Sequence, residues 1–513
     1  MPRFLLILIT VCLAVPASAD TVIRRGLGPE PDSLDIHQAQ GLAAINLLRD
    51  LREGLLTFSA EGEIVNGVAD NWEILDEGLR YRFELRQDAR WSNGEAVLAS
   101  DFERALKAAV DPERAVTTAG LLAPIKNAEA ILTAARPPDA LGVTVVSERV
   151  LEITLERPSP WFAEILAHPV SYPLHAREGK VPELEVNGAY RLSEWTPNAI
   201  IRLEKNSEYH SAGSVAASAI EYFPIEQPAA ELSRYRAGEL HITETIPAGR
   251  HDWLKDNFPN DLRIYPYLGS FWLNINLTQP LLARSVDFRR ALALAIDRDI
   301  LTRIVIGAGE KPAFSLVPPG MSGYEPSLMP ESAMTQEERE SLAKQLFARS
   351  GVDQSGTVRL QLRYNTSSVH RRMAVAVAAM WKQVLGIDTE LFNEEWKVFV
   401  NNRRLGVVTE VFRGGWIADY ADPGSFLDLF RSNGGMNFTF FQNPHYDRLL
   451  QEAEQARGQA RLDLLKQSEG LLLQEMPAIP LYYYVSRHLV KPEVRGFVDN
   501  VRDVHLSRYL SLE

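Results

Sequence analysis

The stretch Val411–Leu427, VFRGGWIADYADPGSFL, places a cation (Arg413), a flat aromatic (Trp416) and an anion (Asp419) close together in one short run. Two glycines precede Trp416, and Pro423 follows the second acid, Asp422. A peptide in water offers the complementary groups: a terminal ammonium, a bare backbone, side chains of any size and a carboxylate. Glycine lets a backbone come close because it has no Cβ. A carboxylate in a closed cleft holds an ammonium that would otherwise be costly to desolvate. The run therefore reads as a place where a small zwitterion is gripped by its ends. Asp422 reads differently: an acid directly before a proline is an N-cap with proline at the first helical position.

Outward from this run, short strands and helices alternate without a repeat at solenoid periods. Tyr81, Phe83 and Leu85 alternate with polar residues, and so do Leu151, Ile153 and Leu155, as half-buried strands do. Ser100 or Asp101 is expected to cap a helix carrying Phe102, Leu106 and Ala109, which Asp111-Pro112 stops. A longer helix is expected from Val286 to Ile304, with Phe288, Leu292, Ile296 and Ile300 on one face. Val358–Tyr364 reads as a strand leading through Asn365-Thr366-Ser367 into a helix that ends at Gly386, a C′ residue. These elements make a mixed α/β protein with α+β lobes. Pro169–Val186, Ile264–Asn276 and Leu481–Leu489 are the expected crossings between lobes. Repeated crossing makes a hinge of several strands, which suits a clamp.

Composition narrows the partners. Met1–Ala19 has one positive residue, an apolar run from Phe4 to Val15 and the small-residue pattern Ala17-Ser18-Ala19, the pattern of a cleavable secretory signal. The run is too short to span a bilayer. Cys12 is the only cysteine and lies inside that signal, so disulfide and thiol chemistry are not expected after it. With 513 residues, the chain is longer than one core usually grows, so two or three lobes are expected. A net charge of −13 argues against nucleic acid and anionic membrane as partners. Export to a periplasm-like compartment follows.

Catalytic signatures are mostly missing. There is no HExxH pair, no P-loop and no GxGxxG after a strand. Gly320-Met321-Ser322-Gly323 fails the nucleophile-elbow pattern because Tyr324 stands where the last glycine belongs. The ten histidines show no metal-ligand spacing, and neither metal nor cofactor is expected. Read from the residues alone, His370 is a surface or capping histidine, Trp396 is packing, and Arg403 with Arg404 is a solvated pair.

A series of short stretches changes that weighting. They are Leu51-Arg52-Glu53-Gly54-Leu55, Phe83-Glu84-Leu85-Arg86 with Ala89-Arg90-Trp91-Ser92-Asn93-Gly94, and Asn187-Gly188-Ala189-Tyr190 with Glu204-Lys205-Asn206. Further on come Arg234-Tyr235-Arg236-Ala237-Gly238-Glu239, Ala295-Ile296-Asp297-Arg298, Tyr364-Asn365-Thr366-Ser367 and Gly415-Trp416-Ile417-Ala418-Asp419-Tyr420. In their order and spacing the chain resembles the solute-binding proteins of ABC peptide importers, most closely the oligopeptide-binding branch (solute-binding protein family 5).

That resemblance implies a periplasmic binding protein-like type II clamp of three lobes with a multi-strand hinge. The first lobe would comprise residues 20–52, 171–272 and 484–513, the second 53–170 and the third 273–483. A monomer would close around an oligopeptide and dock on an inner-membrane ABC permease. By the same resemblance Asp419 would take the α-ammonium. Gln40-Gly41-Leu42 and Gly415-Trp416-Ile417 would flank the peptide with main-chain hydrogen bonds, as in strand addition. Arg413, Arg403 and His370 would serve as alternative carboxylate partners, and Trp396, Trp416, Asn365 and Tyr484 would line side-chain pockets. Gln40, Thr117 and Glu244 depart from the family's pattern, which bears on peptide length and side-chain preference. Same-fold binders of a murein peptide, an opine-like compound or a metal chelate form the first alternative, and a secreted hydrolase the second.

Overall fold

The computed structural model describes residues 21–39, 41–177, 184–352, 357–407, 410–432 and 434–513. The expected signal Met1–Ala19, Gln40 and part of the expected crossing Pro169–Val186 lie outside the described residues. Among the described residues no helix is long and apolar enough to cross a membrane.

Alternating apolar residues build three main sheets. Val22–Gly28 pairs in parallel with Ala219–Pro224, and Ile200–Lys205 and Tyr190–Thr196 extend that sheet antiparallel. Ala69–Leu75, Arg80–Leu85, Val150–Thr154 and Val143–Ser147 form an antiparallel meander-like sheet, in which Tyr81, Phe83 and Leu151 face its core. The largest sheet has six strands in the order Lys311–Pro312, Ala478–Leu489, Leu262–Ile275, Val411–Ile417, Arg359–Asn365 and Asp388–Glu394.

Each sheet has its own hydrophobic core. One gathers Leu55 to Val170, one Ile23 to Leu51 with Tyr172 to Tyr222 and residues near the C-terminus, and the largest Leu268 to Tyr482. The two longest strands, Leu262–Ile275 and Ala478–Leu489, run antiparallel from the largest core into a small cluster around Tyr235, Leu254 and Leu489. Both were expected to cross between lobes, and both leave one core for another.

Three of the stretches that carry the resemblance are joints in the structure. Glu53 is buried, with Arg508 at 2.5 Å, the Tyr209 hydroxyl at 2.8 Å and His210 Nε2 at 2.6 Å. Its backbone exchanges hydrogen bonds with the Asn187 amide, at 3.2 and 2.9 Å. A Cβ on Gly188 would stand 2.5 Å from the Leu51 carbonyl carbon, so only glycine fits there. Arg298 is fully buried and donates to the carbonyls of Ala293, Ile296, Ala313 and Pro480, which ties the Ala295–Arg298 stretch to the long strand.

Two expected helices differ from the sequence reading. The helix expected over Val286–Ile304 is broken: Val286–Leu294 ends, and Asp297 accepts from Ile300 N at 2.9 Å to start a new turn. Leu292, Ile296 and the other apolar residues keep their helical spacing across this break, which is why periodicity hides it. The helix expected to be capped by Ser100 or Asp101 runs Ala99–Val110, and Asp101 sits inside its first turn with Leu98 N donating to its carboxylate at 3.0 Å. Ser367 and Gly386 do bound the helix Ser368–Leu385, with Gly386 left-handed at φ 71°.

Phe83 is fully buried between Trp72 and Tyr81, with ring centroids 6.1 and 6.4 Å away. Phe83→Ala is expected to lower stability by about 3–5 kcal/mol, checked by urea unfolding.

Candidate functional site

The strand Val411–Ile417 lies inside the six-stranded sheet, yet only part of it has two neighbours. On one side it pairs with Leu262–Ile275 along its whole length, from Gly269 opposite Ile417 to Ile275 opposite Val411. On the other side it pairs only at Val411 and Phe412, with Leu362 and Arg363. Beyond Phe412, among the described residues, that edge from Arg413 to Ile417 has no strand beside it. An open edge of this kind offers main-chain donors and acceptors to an added strand.

Asp419 follows the open edge directly. Its backbone N–H donates to Ser425 Oγ at 3.3 Å, and Trp416 Nε1 donates to the same oxygen at 3.2 Å. Ser425 thus holds the aromatic and the acid in one conformation. No cation or donor among the described residues meets the Asp419 carboxylate. The residue is exposed, yet the protein around its carboxylate desolvates it and pushes the carboxyl up to about 6. Asp422, three residues on, has the opposite fate. It is buried and receives Arg461 bidentately at 2.6 and 2.8 Å. It also accepts from Gly424 N at 2.8 Å ahead of the turn Gly424–Leu427, whose N-cap position falls on Pro423 and not on Asp422 as expected.

Two cavities flank the segment. One, of about 240 Å³, is lined by Ile417, Ala418 and Asp419 from this segment and by Leu42, Arg49, Tyr267 and Glu244 from elsewhere. Leu42 opens the helix Leu42–Leu51 behind Gly41, whose φ of 82° suits glycine. Of the expected flanking residues, Leu42 and Ile417 line this cavity together, Gly415 and Trp416 line the other, and Gln40 lies outside the described residues. Glu244 faces this space with its carboxyl raised to about 8 by burial. Arg49 lines it too, lying over the Phe58 ring at 5.6 Å.

The second cavity, about 180 Å³, is lined by Arg413, Gly414, Gly415 and Trp416, by Trp396 and Arg403, and by Trp272, Phe430 and Phe438. Its two guanidinium groups have aromatic rather than acidic neighbours: Arg403 lies 4.0 Å from the Phe438 centroid, and Arg413 lies 5.3 and 5.7 Å from Phe271 and Trp396. Both Nε atoms are buried without a hydrogen-bond partner. Burial, then the charge of Arg413, pulls Arg403 down to about 10. Cations held this way lack an anion.

His370 stands beside this box, 5.4 Å from Phe271, and burial followed by Arg413 lowers it to about 4. It is therefore a neutral ring near pH 7, with Nδ1 unpartnered, and not a third cation. Asn365 ends its strand nearby with Oδ1 buried and unpartnered. Tyr484 packs where the glycines leave room: a Cβ on Gly269 would lie 2.5 Å from Tyr484 Cδ2, and one on Gly415 would lie 2.9 Å from its hydroxyl. A Cβ on Gly414 would lie 2.5 Å from both Trp272 Nε1 and Asn274 Nδ2. Both glycines before Trp416 are thus required by the protein's own side chains.

One cluster has metal-ligand chemistry. His488, Asp503 and His505 bring ligand atoms within 4.8 Å of one another at the first cavity. His488 Nδ1 faces the Thr243 carbonyl at 2.8 Å and Nε2 faces Asp503 at 2.8 Å. With acceptors on both sides the ring carries both protons; burial opposes its charge, but Asp503 outweighs burial and raises it to about 9. The cluster is an internal ion pair. Sequence reading missed Ser425, Arg49 and Phe438, none of which carries a motif.

A family model, bacterial extracellular solute-binding proteins, family 5 middle, matches residues 63–438. The chain is 36% identical over 495 residues to the periplasmic murein peptide-binding protein MppA of Escherichia coli K12, covering 94% of this chain and 92% of that one. It is 34% identical to the periplasmic oligopeptide-binding protein OppA of the same organism, covering 94% and 90%. The structure of Haemophilus influenzae OppA in complex with RPPGFSPFR superposes with a TM-score of 0.81 at 30% identity, covering 96% of this chain and 99% of that one.

Removing the Asp422 side chain would leave buried Arg461 without its partner. Asp422→Ala is expected to cost about 3–5 kcal/mol in denaturant unfolding, whereas Asp422→Asn, which keeps an acceptor for Gly424 N, should cost less.

Proposed function

The chain belongs to family 5 of the bacterial extracellular solute-binding proteins, and on that premise we propose that it captures oligopeptides in the periplasm and delivers them to an inner-membrane ABC permease. The observation that carries this reading is the open strand edge Arg413–Ile417, which has an unpaired carboxylate beyond one end and two unpaired guanidinium groups at the other. A peptide laid along that edge would direct its α-ammonium to Asp419 and its carboxylate toward Arg413 or Arg403. Main-chain bonds from Gly415, Trp416 and Ile417, with Gly41 and Leu42 opposite, would leave side-chain identity free. At about 3.3 Å per residue the edge matches roughly four extended residues.

We place the lobes at residues 20–52, 171–272 and 484–513, at 53–170 and at 273–483; the three largest cores broadly support this division, with Leu268–Trp272 packing into the third lobe's core. Met1–Ala19 would direct export and be removed, and the protein would work as a monomer without catalysis. Trp396, Trp416, Asn365 and Tyr484 would shape side-chain pockets, and His370, neutral when the site is empty, would gain a proton or donate a hydrogen bond as a carboxylate arrives. Murein peptides present the same ammonium and carboxylate ends and fall within the same reading.

Calorimetry with matched free and N-acetylated peptides tests the assignment. Free peptides should bind, and Asp419→Ala should weaken them by about 2–5 kcal/mol. Equal affinity for acetylated and free peptides, or cleavage of either, would sink it. Affinity should also depend on pH. An empty-site carboxyl titrating near 6 is drawn lower by a bound ammonium. The anchor's contribution is therefore complete above about pH 6 and shrinks as pH falls through that value, and Asp419→Ala should flatten this part of the profile.

A further inference from the structure

Asp419 sits in a closed ring of contacts that passes through three parts of the molecule. Ala418 N donates to the Leu268 carbonyl at 2.8 Å, and Leu268 N donates to the Val501 carbonyl at 2.9 Å. The next residue, Arg502, pairs bidentately with Glu164 at 2.5 and 2.9 Å. Glu164 Oε2 then accepts from Ala421 N at 2.7 Å, which returns the ring to the segment it left. Thus the amides on either side of the Asp419–Tyr420 pair are tied, while the Asp419 carboxylate is left free.

Glu164 does not line either cavity. It belongs to the body whose core spans Leu55 to Val170, next to Phe162 and Ile165 in that core. A second contact comes from the same side: Trp161 stacks on Tyr420 with centroids 5.1 Å apart and planes 11° from parallel. Arg461, the partner of Asp422, lies 5.0 Å from the Trp161 centroid. Residues 420, 421 and 422 are therefore all anchored directly or through one intermediary to this body. Glu164 is largely buried, and a carboxylate there needs its partners.

We propose that Glu164 is a positioning residue for the ammonium anchor: by holding Ala421 N it sets where the Asp419 carboxylate points, and so couples a side chain outside both cavities to cargo affinity. This rests on the reading that Asp419 takes an ammonium. A purely structural salt bridge would stabilise the fold and affect all ligands alike. A released Arg502 charge in the first cavity would act alike in Glu164→Ala and Glu164→Gln, whereas a positioning bond acts through Asp419 and is kept by the glutamine.

The test is a double-mutant cycle between Glu164→Ala and Asp419→Ala in the full chain, read by peptide affinity. Glu164→Ala should weaken free-amino peptides about tenfold. In the Asp419→Ala background the same change should do less than twofold, because contacts that act through one group are not additive. Glu164→Gln keeps an acceptor for Ala421 N and should bind within threefold of the parent. Equal losses in both backgrounds, or a glutamine variant as weak as the alanine one, would overturn the proposal. Should Glu164→Ala not fold, Trp161→Ala carries the same expectation in both backgrounds. If Asp419→Ala alone leaves free-amino peptides unaffected, the ammonium reading fails first, and that outcome is separate from a failed cycle.

Discussion

The pairing of Leu262–Ile275 with Ala478–Leu489 is the constraint on which the rest of the structure hangs. The register runs from Leu262 opposite Leu489 to Asn274 opposite Ala478, and slips between Pro266 and Ser270. Pro266 can donate no ladder bond, and Gly269 leaves the space into which Tyr484 packs. Two long strands thus remain hydrogen-bonded at both ends with an irregular middle. That middle lies at Leu268 and Gly269, opposite Ile417 and Ala418, so the bend in the ladder meets the end of the open edge just before Asp419.

From that scaffold the site follows by exclusion. Leu262–Ile275 occupies one edge of Val411–Ile417, the short overlap with Arg359–Asn365 ends at Phe412, and the remaining edge is left open. Three acids and cations in the neighbourhood are satisfied internally: Asp422 by Arg461, Glu164 by Arg502, and Asp503 by His488. Among the described residues, Asp419, Arg413 and Arg403 are charged groups beside this edge that no ion pair completes.

Much of this was readable in the chain because local rules and tertiary needs agree. Ser367 and Gly386 bound their helix as capping chemistry requires, and Tyr81 and Phe83 alternate inward as strand geometry requires. The misreadings have physical causes. Apolar spacing continues through Asp297, so the broken helix looked whole. Asp101 looked like a cap because it does satisfy an orphan amide, only from inside the first turn. The glycines at 414 and 415 looked made for ligand approach, but their neighbours Trp272, Asn274 and Tyr484 are distant in sequence. Glu164 and Arg461 lie far along the chain from the residues they hold, and no local pattern marks them.

Asp419 and the Arg403–Arg413 pair also have a collective consequence. On the proposed reading, Asp419 at one cavity and the Arg403–Arg413 pair at the other, separated by a strand edge, would set a charge gradient along that edge. A zwitterion entering it meets a field with a direction. Laid one way, its own dipole opposes and cancels that field; laid the other way, each of its charges meets a like charge. Such a site would sort a peptide by polarity before any side chain is sampled, reading which end comes first while leaving its sequence unread.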